Sequence, residues 1–87
     1  MKKVDEIFWV TGRGCIATVF EDDGYKVGQE IELFNGENLI TTSKITGIEI
    51  ARGMIVLPSR GLLLSGITKN DIENWRSNKF KITIKVK

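Results

Sequence analysis

The last nine residues of the chain alternate between polar and apolar side chains: Lys79-Phe80-Lys81-Ile82-Thr83-Ile84-Lys85-Val86-Lys87. In an extended chain, a period of two places successive side chains on opposite faces. One face of this segment therefore carries Phe80, Ile82, Ile84 and Val86. A strand with one apolar face needs a surface to cover, so we predict that these side chains pack onto the rest of the domain. We expect the strand to pair with the edge formed by residues 4–10.

Shorter segments of strand-forming residues recur along the rest of the chain: 4–10, 15–20, 29–34, 39–50, 54–57 and 61–67. Turn signals such as Gly12-Arg13-Gly14 and Asn35-Gly36 separate them. Gly47 lies inside a strand segment, where a glycine marks a bulge or a barrel corner. Only residues 68–73 predict a helix, of a turn or two. The pattern predicts an all-β fold, a small antiparallel β-barrel of six to seven strands.

The composition argues against catalysis and metal binding. The 87 residues are enough for one domain, 1–87, with one cysteine, Cys15, and no histidine. The commonest general base and the commonest metal ligand are therefore missing. No G-x-x-x-x-G-K-[ST] loop is present to hold a nucleotide phosphate. We expect no enzyme activity, no metal, no nucleotide and no cofactor.

The apolar runs are too short for a membrane segment. The longest, such as Met54-Ile55-Val56-Leu57, have four residues, whereas a spanning helix needs about 20 apolar residues. The N-terminus reaches Asp5 and Glu6 before any apolar run of signal-peptide length. From these two observations we predict a cytoplasmic protein without membrane contact.

Four stretches, read in order, carry a resemblance to a known family: Ile7-Phe8-Trp9-Val10-Thr11-Gly12-Arg13-Gly14, Lys26-Val27-Gly28-Gln29-Glu30-Ile31-Glu32-Leu33, Thr46-Gly47-Ile48-Glu49, and Gly61-Leu62-Leu63-Leu64-Ser65-Gly66-Ile67 with Asn70-Asp71-Ile72. Together they resemble domain two of the translational GTPases, the β-barrel that follows the GTPase domain in elongation factor Tu. The resemblance covers about residues 4–75. The chain departs from the family by a shorter loop between Ile50 and Gly61, by the added strand 79–87, and by the lack of a GTPase domain.

The resemblance implies candidate ligand-binding residues. Glu49 and Arg52 match positions at the family's pocket for the aminoacylated end of transfer RNA. Arginine binds phosphate or sugar through paired hydrogen bonds, and a carboxylate can lie against a base. The alternative for this pair is a surface ion pair of little energetic weight. Arg13 is a further candidate, because its guanidinium could contact a phosphate from the glycine turn.

Trp9 and Trp75 are candidate partner anchors, because exposed tryptophans are frequent interface hot spots. The alternative is that the 68–76 segment folds over an open barrel end and buries Trp75. The excess positive charge lies in residues 69–87, which hold 6 basic and 2 acidic side chains against 7 and 9 in residues 1–68. That excess fits either an anionic partner or a lysine-decorated soluble strand.

We therefore expect a stand-alone binding module that recognises a protein or RNA component linked to translation. One alternative is a protein mimic of elongation factor Tu that acts as an antidote or regulator. Another is a structural accessory, such as a homodimer formed through strand 79–87. The translation link comes from the resemblance alone, because a fold by itself does not select a partner.

Overall fold

The computed structural model describes residues 2–19, 24–50 and 60–87. They form six strands and one helix: β1 (Lys2–Val10), β2 (Gly14–Val19), β3 (Glu30–Asn35), β4 (Asn38–Ile50), β5 (Arg60–Leu64), α1 (Lys69–Ser77) and β6 (Ile82–Val86). The strands pair in the order β1-β2-β5-β4-β3-β6 and close into an antiparallel barrel. The predicted all-β barrel is confirmed, with six strands among the described residues. The predicted strand 54–57 lies outside them.

The inward face of β1 changes at a bulge. The register opposite β2 shifts between Val4 and Glu6, so Asp5 is an extra residue. An inserted residue reverses the alternation of a strand beyond it. Val4 and Ile7 are consequently both buried in the core. A regular alternation over residues 4–10 would predict that Val4 and Phe8 share one face, and the bulge shows this to be wrong.

The corner of the barrel lies in β4. Its first half pairs with β3 and its second half pairs with β5, so a single long strand belongs to both sides of the barrel. The register against β5 shifts between Ile45 and Gly47. The bulge predicted from Gly47 is confirmed, and it bends the strand where the barrel turns.

β6 closes the barrel. Among the described residues, it pairs with β3 along its full length and with β1 only at Lys2–Ile84 and Lys3–Thr83. Ile82 and Ile84 are buried, and Phe80 packs half-buried against the core. The packing predicted for these three side chains is confirmed. The predicted pairing with residues 4–10 is wrong, because β6 meets β1 at Lys2 and Lys3 and has β3 as its main partner. The packing prediction is wrong for Val86, which is 41% exposed. Ile84 lies opposite Lys2 at the start of β1, and Val86 lies two residues beyond Ile84.

Both ends of α1 are capped by local hydrogen bonds. The Thr68 hydroxyl accepts from the Asp71 N–H at 3.1 Å, and the Asp71 carboxylate accepts from the Thr68 N–H at 3.0 Å. This reciprocal pair is a capping box. At the other end, the Phe80 N–H donates to the Trp75 carbonyl at 2.9 Å and the Lys79 N–H donates to the Arg76 carbonyl at 3.1 Å. These two bonds form a Schellman motif. The helix lies where residues 68–73 predicted one, and continues to Ser77.

Replacing Lys79 with glycine is expected to stabilise the domain. Lys79 has a φ of 55°, in the left-handed region, at the helix-end position that glycine usually occupies. The Cβ of an L-residue is strained there, so Lys79→Gly should add about 0.5–1 kcal/mol to the free energy of unfolding. Urea unfolding measures the change. Lys79→Ala is the control, since it removes the charge and keeps the Cβ; an equal gain in both variants would contradict the explanation.

Candidate functional site

The Gly12-Arg13-Gly14 segment forms the tight turn between β1 and β2. The Arg13 N–H donates to the Val10 carbonyl at 2.9 Å, and the flanking glycines have φ angles of 87° and 98°. Glycine adopts such angles without the strain of a side chain. The predicted turn is confirmed, and it leaves the Arg13 side chain on the surface.

The fold brings Arg13 into an ion pair with Glu49 of β4. The two residues are far apart in sequence. Arg13 lies in the turn between β1 and β2, and β5 separates β2 from β4 in the barrel order. Their side chains are 54% and 32% exposed, so both charges remain accessible to a ligand. Both residues are candidates from the sequence, which does not predict this contact because no local pattern reports on a contact across the barrel.

Gly61 lies next to Glu49, one member of this ion pair. Gly61 of β5 pairs with Glu49 of β4 and with Thr18 of β2. A Cβ at this glycine would lie 3.2 Å from Ile16 Cγ2 and 3.8 Å from the Glu49 Cβ. The first distance is shorter than an ordinary contact, so a larger residue would push Ile16 aside.

An exposed pair of this kind contributes little to stability, because solvent screens it. The chemistry of the pair is better suited to binding a ligand than to stabilising the fold. The guanidinium of Arg13 offers several donors in a fixed plane, which can bind a phosphate or a carboxylate with two bonds. The Glu49 carboxylate is a pure acceptor that can bind hydroxyl or amino groups of a ligand. Arg52, the third candidate, lies outside the described residues.

The two tryptophans have different environments. Trp75 is 6% exposed and belongs to the core together with Ile72 of the same helix face. The alternative in which residues 68–76 bury Trp75 is thus the one observed, and Trp75 is not a surface anchor in this structure. Trp9 is 37% exposed, and its ring lies about 4 Å from the Cβ position of Gly14, beside the turn that carries Arg13. Trp9 stays a candidate partner residue.

Cys15 is buried in β2 and packs in the core. Burial, and to a smaller extent the negative charge of Asp71, raises the pKa of the Cys15 thiol to about 12. The thiolate is the nucleophilic form, so this thiol is inert at neutral pH. The described residues contain no cluster of three metal-ligating side chains. No helix in the described part of the chain is long and apolar enough to cross a membrane.

A scan against models of known protein families finds none that matches this chain.

Proposed function

We propose that this chain is a non-catalytic binding module of the translation-factor domain-two type, which recognises an RNA or protein component linked to translation. The observation that carries the proposal is the exposed Arg13–Glu49 pair on a small closed barrel. Glu49 is also a residue that the resemblance matches to the family's pocket for the end of transfer RNA. The site thus joins a phosphate-binding group to a position with a ligand-binding counterpart.

The chemistry around the pair favours RNA as the first ligand to test. Arg13 supplies donors for phosphate, Glu49 supplies an acceptor for a ribose hydroxyl or a base, and Trp9 offers a partly exposed ring for stacking. These are the three kinds of contact that single-stranded RNA makes with proteins. The probe is the aminoacylated 3′ end of transfer RNA, used as whole aminoacylated transfer RNA and as a short RNA ending in CCA.

We expect the Arg13→Ala, Glu49→Ala double variant to lose about 1–3 kcal/mol of binding free energy, the size of one lost bidentate contact or stack. Fluorescence anisotropy of a labelled RNA measures it, at several salt concentrations because phosphate contacts are salt-dependent. The pair Glu30–Lys87 provides the matched control, since it is an exposed ion pair on a different part of the barrel. Equal losses in both double variants, or no loss in either, would contradict an RNA site at Arg13 and Glu49.

A protein partner is the second candidate, and the exposure of Trp9 beside Arg13 favours it. The chain would then act as a mimic of elongation factor Tu that competes for a protein ligand. A pull-down with the purified domain, with and without nuclease, separates the two: a partner lost on nuclease treatment indicates RNA, and a retained partner that Trp9→Ala weakens indicates protein. The homodimer proposal needs an open edge on β6, whereas β6 has strand neighbours on both sides.

A further inference from the structure

The barrel wall opens where β1 and β6 separate. Pairing between these strands ends at Lys3 and Thr83. Beyond that point a groove of about 790 Å³ lies between them, here called the β1–β6 groove, lined by residues 3–8 of β1, by Gly36 and Arg76, and by residues 80–83. It shares no residue with the Arg13–Glu49 pair. Its volume is in the range of sites that bind ligands of moderate size.

The lining of the groove is apolar at the bottom. Val4, Ile7 and Ile82 are buried and form the floor, and Phe8 and Phe80 are half-buried at its sides. Two aromatic rings flanking an aliphatic floor fit a bulky apolar side chain, because burying such a group is worth about 1.5–3 kcal/mol.

The backbone of β1 offers hydrogen-bonding groups to the same groove. The Glu6 N–H donates to the Thr18 hydroxyl of β2, and the Val10 carbonyl accepts from the turn that leads into β2. Backbone direction alternates along a strand, so the N–H and C=O of Ile7 point away from β2, towards the groove. Among the described residues, Ile7 has a strand partner only in β2. An unpaired strand edge of this kind is a template for an added strand.

The rim of the groove carries charges of both signs. Lys3, Asp5 and Glu6 belong to β1, whereas Arg76 and Lys81 lie on the opposite side. Neither Arg76 nor Lys81 forms an ion pair with a described residue. A ligand lying along β1 would therefore meet two cations without ion-pair partners on its outer side, which favours an acidic group there.

We propose that the β1–β6 groove binds a short extended peptide that adds to the edge of β1 and carries a bulky apolar residue next to an acidic one. The apolar side chain fills the space between Phe8 and Phe80. The acidic side chain faces Arg76 and Lys81, and the peptide backbone bonds to Ile7. The free stretch of β1 from Val4 to Phe8 is five residues, or about 16 Å, which matches a peptide of four to five residues. The proposal does not rest on RNA or translation as the function of the other site.

Selection from a phage library of random octapeptides, followed by titration of synthetic winners, tests the proposal. The expected winners combine bulky apolar and acidic residues, and they shift the amide resonances of Ile7, Phe8 and Ile82. In a bound strand, every second residue directs its amide N–H towards β1. N-methylation of those residues should weaken binding about tenfold or more. Methylation of the residues between them should leave binding unchanged. No enrichment, equal effects of both methylation patterns, or shifts that map elsewhere would overturn the proposal.

Charge variants provide the matched control. Arg76→Glu and Lys81→Glu should each weaken the selected peptide several-fold, and Lys44→Glu, an exposed lysine outside the groove, should leave its affinity unchanged. The Arg13→Ala, Glu49→Ala variant should also bind the peptide normally, which separates failure of this site from failure of the proposed function. Equal weakening by Lys81→Glu and Lys44→Glu would reduce the interaction to general charge attraction and reject a specific site.

Discussion

Truncation of the chain after Asn78 is expected to abolish cooperative folding. The truncation removes β6 and with it the buried side chains of Ile82 and Ile84, together with every hydrogen bond that β6 makes to β3 and β1. Burial of the two isoleucines alone accounts for about 3–6 kcal/mol. A domain of 87 residues has a total stability of about 4–13 kcal/mol, so this loss is a large part of it before the lost hydrogen bonds of β6 are counted. Thermal unfolding followed by circular dichroism measures the effect.

Two variants of the full chain keep this prediction testable if the truncated protein aggregates. Ile84→Ala should cost about 2–5 kcal/mol, because it leaves a cavity under the strand that closes the barrel. Val86→Ala, on the same strand and the same alternating pattern, should cost less than about 1 kcal/mol, because Val86 is largely exposed. A truncated chain with the melting temperature of the full chain would show that β6 is an appendage.

Replacement of Trp75 by alanine is expected to cost about 3–5 kcal/mol of unfolding free energy. Trp75 extends from α1 into the core, and its carbonyl also accepts the hydrogen bond that terminates the helix. Alanine retains that backbone bond, so the loss measures the ring. Urea unfolding gives the value, and Trp75→Phe should recover part of it because the phenyl ring fills part of the cavity.

Trp9→Ala is the matched control, since Trp9 has the same side chain in a partly exposed position. It should cost less than about 1 kcal/mol, the range of most surface substitutions. Tryptophan fluorescence gives a second measurement: acrylamide should quench Trp9 in a Trp75→Phe variant more strongly than Trp75 in a Trp9→Phe variant. Similar unfolding costs for the two alanine variants would contradict the assignment of Trp75 to the core.

The sequence predicted the strands best where alternation and glycines act locally. The 79–87 pattern located β6, and Gly47 located the bend of β4. It located β1 but missed the bulge at Asp5, because apolar residues lie on both faces of this segment and a bulge depends on the partner strand. It also failed at Val86, because its exposure depends on where β1 begins relative to β6.

For the candidate site, residue chemistry selected Arg13, Trp9 and Trp75, and the family resemblance selected Glu49 and Arg52. The sequence did not predict how these residues lie relative to one another. The ion pair between Arg13 and Glu49 depends on the order of four strands. The burial of Trp75 depends on which side of α1 packs against the barrel. The β1–β6 groove was not predicted at all, since it arises where two strands far apart in sequence stop pairing.

The sequence by itself determined the class of this protein: one β-rich domain with short strands, turns fixed by glycine, and a C-terminal strand with one apolar face. These properties follow from local backbone preferences and from the period of two, which neighbouring residues impose on each other. Tertiary structure alone decided that β6 closes the barrel between β3 and β1, that Arg13 meets Glu49, and that a groove opens beside Ile7. Those features depend on strand order and register between distant segments, where many arrangements satisfy the same local pattern and only packing of the whole core selects one.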